Sequence, residues 1–310
     1  MSTRLPRNTD PSYIRHISIR AERAQLKLLP SAEVNRIVSG VMAKYQEEFG
    51  IVIYAYTILS NHLHILARAP RSNLWRYEQA VNREIAKRIN RLQNTRGHFW
   101  ERRYDEQMAP EVADALESFL YVTCNAVNHG LVAHPLLWPG VNSYEHCLDG
   151  KDRLCVFTDY TAFGKACRRA KNRGKRLNIR DYESEHLLQL TPLPQHAHLS
   201  PDERRALLSG LIRQRVTRIK KDRKAQGLGF LGREKIMAQR HTDVPRNVKR
   251  FPRPICYTKS FETKKRFMEW YFPWLESYRE ASRRFRSGEL LVQFPEHSIR
   301  PPVHYSLLSA

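Results

Sequence analysis

Ile51-Val-Ile-Tyr-Ala-Tyr-Thr-Ile-Leu-Ser-Asn-His62-Leu63-His64-Ile-Leu-Ala67 is an apolar, β-branched run broken once, at Ser60-Asn61, and it carries two histidines. Val, Ile, Tyr and Thr favour extended backbone and Ser-Asn suits a tight turn, so the stretch predicts two paired strands over 51–59 and 62–68. Along a strand, residues i and i+2 share a face. His62 and His64 therefore stand side by side while Leu63 and Ile65 point the other way. Two neutral imidazoles on a rigid strand are good ligands for one divalent metal ion. The bare triplet is weak, since 13 histidines in 310 residues give about half of one His-x-His by chance. A second, His196-Ala197-His198, lies in a Pro-rich segment without evident partners and reads as incidental.

Outward from this hairpin the first half alternates element types. Tyr13 to Arg20 alternates like a half-buried strand. Val34, Ile37, Val38, Val41, Met42, Tyr45 and Phe49 follow at helical spacing, with Ser31 as the N-cap. A second helix is expected from about Asn73 to Leu92, with Leu74, Val81, Ile85, Ile89 and Leu92 inward and Arg76, Arg83, Lys87 and Arg91 on the other face. His98-Phe-Trp-Glu-Arg-Arg-Tyr-Asp105 predicts a fourth strand. A third helix is expected from Val112 to His129, stopped by Gly130. The order β-α-β-β-α-β-α predicts an α+β fold, a small antiparallel sheet with packed helices.

The length suits two domains, a first over 1–150 and a basic, mostly helical second over 151–310, with helices near 201–227 and 261–287. Residues 1–150 carry 18 Lys+Arg against 15 Asp+Glu, and residues 151–310 carry 35 against 16, so nearly all of the net +22 sits in the second half. A basic block of that size concentrates polyanions, of which nucleic acid is the commonest. No run of 18 apolar residues exists and the N-terminus lacks a signal-peptide core, so no membrane partner is expected. Five cysteines without C-x-x-C spacing argue against a disulfide framework or a structural zinc site. The chain reads as cytoplasmic, held at the nucleoid by DNA.

In the third helix Tyr121 and Asn125 are one turn apart and share a face with Glu117. Tyr121 is either a nucleophile or a boundary tyrosine with its ring in the core and its hydroxyl in water. The wider region, Glu117-Ser-Phe-Leu-Tyr121-Val-Thr-Cys-Asn125-Ala-Val-Asn-His-Gly130-Leu-Val, then Trp138-Pro139 and Ser143-Tyr144, resembles the single-tyrosine HUH transposases. It looks closest to the REP-associated branch, where a tyrosine, an asparagine four residues on, a Gly-Leu-Val and a Trp-Pro recur in this order. His62-Leu63-His64 resembles the family's His-hydrophobic-His strand, and Phe99-Trp100-Glu-Arg-Arg-Tyr104-Asp105 the strand before its catalytic helix. The resemblance covers about residues 12–148. Ala126 departs from it, standing where the family usually has proline.

The resemblance implies a transposase that cuts and rejoins single-stranded, hairpin-forming DNA. Two histidines and one further polar side chain would hold Mg2+ or Mn2+, and Tyr121 would attack to leave a 3′-hydroxyl and a 5′-phosphotyrosine. Such attack needs the phosphate charge screened, which suits a histidine-held metal. Helical spacing makes Asn125 the expected third ligand, with Glu117 as the alternative. Arg76, Arg83, Lys87 and Arg91 could track the DNA backbone, or form a solvated helix face. Arg102 and Arg103 could read bases, while Phe99 and Trp100 suit core packing. Arg246, Lys249, Arg250 and Arg253 would hold a hairpin stem through its phosphates. Members of the family commonly act as dimers, so a homodimer is implied. Two other readings compete: a non-catalytic binder of structured repeats, and a relaxase or rolling-circle initiator. Relaxases typically place the tyrosine ahead of the histidines, whereas Tyr121 follows His64 here.

Overall fold

A computed structural model describes residues 5–171, 177–245 and 254–302. Four strands, β1 (Ile14–Arg20), β2 (Val52–Ile58), β3 (His62–Arg68) and β4 (Asp105–Ala109), form one antiparallel sheet in the order β2-β3-β1-β4. Helix α1 (Ala32–Phe49) connects β1 to β2, and α2 (Leu74–Leu92) connects β3 to β4. Ser31 caps α1 as expected, its side chain accepting from the Val34 N–H, and Gly50 closes the helix with φ +63°. The α+β reading therefore stands.

The sheet is covered on both faces, so its strands read as nearly continuous apolar runs. Ile17, Ile19, Leu63 and Ile65 pack with α1 and α2 residues such as Val38, Val41, Val81 and Ile85. Ile14 and Leu66, on the opposite face by strand alternation, pack with Ala115, Phe119 and Leu120 of α3 (Val112–Thr123). The histidine face is thus the face that α3 covers.

Three expectations need correction. Leu92, expected inward, is 45% exposed in the last turn of α2. The fourth strand is Asp105–Ala109 rather than 98–105; the earlier segment forms only an isolated bridge, Ala21 with Trp100, and Phe99 is buried in the core. The third helix does not run unbroken to His129: Cys124, at φ −92° and ψ 12°, separates α3 from a single turn, α4 (Asn125–Asn128). Gly130 then adopts φ +67°, a left-handed backbone conformation that glycine reaches without strain.

Beyond these, α5 (Tyr144–Asp149) leads to a second sheet in the C-terminal half, a hairpin-like pair of β5 (Arg153–Thr158) and β6 (Glu183–Leu188) flanking α6 (Tyr160–Lys171). The pair packs on α1 at Gly40, where a Cβ would lie 2.2 Å from the Val156 carbonyl oxygen. Helices α7 (Pro201–Ala225), α8 (Arg233–Met237) and α9 (Phe261–Arg286) follow. Leu208, Ile212 and Val216 of α7 are buried in the same cluster as Phe119 and Leu120. No helix among the described residues is long and apolar enough to cross a membrane.

Candidate active site

The register of the sheet builds the site. Arg20 lies opposite His62 and Ser18 opposite His64 on the adjacent strand, and Gln107 lies opposite His16 on β4. By alternation His16, Ser18 and Arg20 share the face of His62 and His64. The His62 and His64 rings are 5.0 Å apart between centroids and nearly perpendicular. Each is oriented from behind. His62 Nδ1 lies 2.6 Å from the Asn61 Oδ1, an acceptor, so Nδ1 carries the proton and Nε2 the lone pair. His64 Nδ1 lies 2.9 Å from His16 Nε2, and both rings are buried. Both contacts set the ring directions in advance, and the Asn61 oxygen, which can only accept, also sets the tautomer of His62.

Helix α3 brings Tyr121 onto this face. Its ring centroid is 5.6 Å from that of His64 and 5.5 Å from that of His16, with the ring half-buried. Thr57, opposite His64 on β2, ties helix to sheet by donating to the Val122 carbonyl at 2.7 Å. The Trp-Pro and Ser-Tyr motifs act on the same edge. Trp138 Nε1 donates to the Ile58 carbonyl at 2.9 Å, and the Tyr56 N–H donates to the Ser143 hydroxyl oxygen at 3.0 Å. These residues hold β2 in register rather than touch the histidines.

Asn125 opens α4 and is fully buried, and neither its amide oxygen nor its amide nitrogen has a hydrogen-bond partner among the described residues. A buried orphan amide costs about 1–3 kcal/mol unless something completes it. Glu117 is committed elsewhere: its carboxylate accepts from Arg215 of α7 at 2.7 Å and Lys259 at 2.6 Å. Burial raises that carboxyl, but the two cations outweigh it and the net shift is downward. Glu117 is therefore an ion-pair anchor, and Asn125 is the better candidate of the two. Among the described residues no three His, Cys, Asp or Glu side chains are grouped to hold a metal. The groups available to a divalent ion are the two imidazoles and the orphan amide of Asn125.

Three ring neighbours escaped the sequence reading. His16 is separated from His64 by 48 residues and joins it only through strand register. His129, just past α4, lies 5.0 Å from His62 between centroids. Tyr257 lies 6.3 Å from Tyr121 and 5.8 Å from His16. For His16 the alternation of β1 held a usable signal, a polar residue on a buried strand; for Tyr257 nothing local did.

The expected DNA contacts divide. Arg76, Arg83, Lys87 and Arg91 lie on α2, across the sheet from Tyr121, and their side chains are exposed. Lys87 donates to Thr161 Oγ1 and Arg91 lies 5.1 Å from the Tyr160 ring, so α6 engages part of that face. Arg102 pairs with Asp105 at 2.8 Å and Arg103 donates to the Leu5 carbonyl at 3.0 Å, both just ahead of β4 in the chain. Arg246, Lys249, Arg250 and Arg253 lie outside the described residues.

Residues 13–118 match the family model of IS200-like transposases. Over this stretch, about a third of the chain, the protein is similar to the IS200-like transposases. The matched stretch contains His16, His62 and His64 and ends three residues before Tyr121. A REP-associated tyrosine transposase bound to a REP hairpin is similar in structure, with 17% identity and a TM-score of 0.39 over 48% of this chain and 84% of that one. A protein from Deinococcus radiodurans R1 assigned as a transposase shows 14% identity and a TM-score of 0.27 over 34% of this chain and 84% of that one. No curated protein matches the chain.

Proposed function

We propose that this protein is a transposase that cuts and rejoins single-stranded, hairpin-forming DNA, with Tyr121 as the nucleophile, in the manner of the REP-associated branch. The observation that carries the reading is the Tyr121 ring held 5.6 Å from His64 on the face where His62 also stands. The Tyr121 oxygen attacks the scissile phosphorus as its proton is lost. The bond from phosphorus to the 3′-oxygen breaks, that oxygen takes up a proton, and the strand is left with a 3′-hydroxyl and a 5′-phosphotyrosine. Rejoining reverses the step with another 3′-hydroxyl, so the phosphodiester energy is conserved. His62 and His64 through Nε2, with Asn125, would hold Mg2+ or Mn2+, and the cation neutralises the non-bridging oxygens when bound. His16 and Asn61 fix the two imidazoles.

A tyrosine wedged between helix and sheet suits a splayed strand better than a duplex. Arg102 and Arg103 would contact its bases. A hairpin stem is assigned to the basic second half, through residues 246–253 and the exposed Arg213, Lys220, Lys221 and Lys224 of α7. Catalysis is thereby assigned to residues 1–150 and stem holding to residues 151–310, and a homodimer is expected.

Covalent capture tests the reading. The full chain is incubated with a labelled library of single-stranded hairpins in Mn2+ and denatured. An adduct that is lost with chelator and in Tyr121→Phe is the expected result. Hairpin binding across the library with no adduct would instead make the protein a non-catalytic binder.

A further inference from the structure

The third ring against Tyr121 arrives from far along the chain and is firmly seated. Residues 255–257 extend the main sheet at the edge of β4: the Met108 N–H donates to the Ile255 carbonyl at 2.9 Å, and the Tyr257 N–H donates to the Met108 carbonyl at 2.8 Å. Met108 and Cys256 form a parallel bridge, and both are buried with Phe267, Tyr271 and Leu275 of α9. Two residues on, Lys259 is joined to Glu117, which Arg215 of α7 also holds. Glu117 is one turn from Tyr121, so the segment is fastened to the strand on one side and to the nucleophile's own helix on the other.

Tyr257 sits between these fastenings. Its ring is 6.3 Å from that of Tyr121, tilted by 54°, and 5.8 Å from that of His16, nearly edge-on at 79°. With His64 and His16, Tyr257 completes a set of three rings around the half-buried Tyr121. Such a ring contact is worth about 0.5–1.5 kcal/mol beyond its burial. Its greater consequence is orientation, because a nucleophile displaced by about 1 Å can lose about 100-fold in rate.

We propose that Tyr257 is a positioning residue for the nucleophile, its ring confining Tyr121 to the rotamer that keeps the phenol at the histidine pair. This rests on Tyr121 being the nucleophile. Burial, with a smaller contribution from Glu117, pushes the Tyr257 phenol up to about 12. A Tyr121→Phe chain that keeps Tyr257 is expected to form no adduct.

The test measures single-turnover adduct formation by the full chain on a labelled single-stranded hairpin in Mn2+. Tyr257→Leu is expected to slow it by about tenfold or more. Its hairpin Kd should stay within about twofold of wild type, and its Mn2+ affinity, read by electron paramagnetic resonance, should be unchanged. Tyr257→Phe is expected to recover most of the rate, because the ring and not the hydroxyl is used. Should Tyr257→Leu melt early, Tyr257→Met, which fills the volume without a ring, is read in the same way. A ringless variant as fast as wild type, or a Tyr257→Phe chain as slow as Tyr257→Leu, overturns the proposal. A wild-type chain that binds hairpin but forms no adduct removes the parent reading too, so the wild-type lane tells the two failures apart.

Discussion

Replacing His16 by leucine should weaken metal binding at a residue that would not itself touch the ion. For His64 to offer Nε2 to a cation, its Nδ1 must carry the proton and donate it to His16 Nε2, 2.9 Å away. Both rings are buried, at 2% and 0% exposure, so water does not readily replace that acceptor. Leucine accepts nothing. An N–H left without its acceptor in such a site costs about 1–3 kcal/mol, and loss of a ligand's outer partner typically costs about 10–100-fold in metal affinity. The expectation for His16→Leu is therefore about 10–100-fold weaker Mn2+ binding, measured by electron paramagnetic resonance titration of the full chain without DNA. His16→Gln, whose amide oxygen can accept, should lose less. At saturating Mn2+ the adduct rate of His16→Leu should partly recover, because His16 supports the ligand and not the phosphate. Wild-type Mn2+ affinity in His16→Leu, beside a His62→Ala control that binds poorly, would refute the reasoning.

Other expectations follow from the same contacts. Burial pushes the Glu78 carboxyl up to about 7 from 4.5, against a hydrogen bond from Asn82 that favours its charge. The folded state then holds that proton more tightly than the unfolded state, so stability is greatest below about pH 4.5 and falls as pH rises to about 7. The difference corresponds to about 3 kcal/mol, so Glu78→Gln should gain up to that much at pH 8 and little at pH 4 in urea unfolding. An equal gain at both pH values would disprove it. Asn125→Leu removes a buried amide with no partner among the described residues, and should raise the apo chain's stability by about 1 kcal/mol while lowering Mn2+ affinity. Lower stability in calorimetry together with unchanged Mn2+ affinity would remove Asn125 from the ligand set.

Much of the first half was legible because its determinants are local. Helical spacing with a Ser31 cap specified α1, and the Ser60-Asn61 turn between apolar runs specified the β2–β3 pair. The pairing of His62 with His64 needed only the two-residue period of a strand. Strand β4 was misplaced because Asp105-Glu-Gln-Met-Ala109 is short and shows no apolar alternation; its pairing with β1 makes it a strand. The β5–β6 pair was missed because its strands are 24 residues apart with a basic helix between them, and its outer residues Leu154 and Leu187 are exposed, so the buried-face pattern is faint.

What the sequence determined by itself is the set of groups whose neighbours lie within a turn or a strand repeat: two same-face histidines, and a tyrosine with an asparagine one turn on. Tertiary structure decided which groups from elsewhere meet them. Strand register set His16 behind His64, the bend at Cys124 set His129 beside His62, and edge pairing with β4 set Tyr257 against Tyr121. The same packing spent Glu117 on Arg215 and Lys259. Periodicity specifies the direction of a side chain relative to its own backbone, whereas contact between distant segments depends on the register and docking of whole elements, which no local pattern encodes.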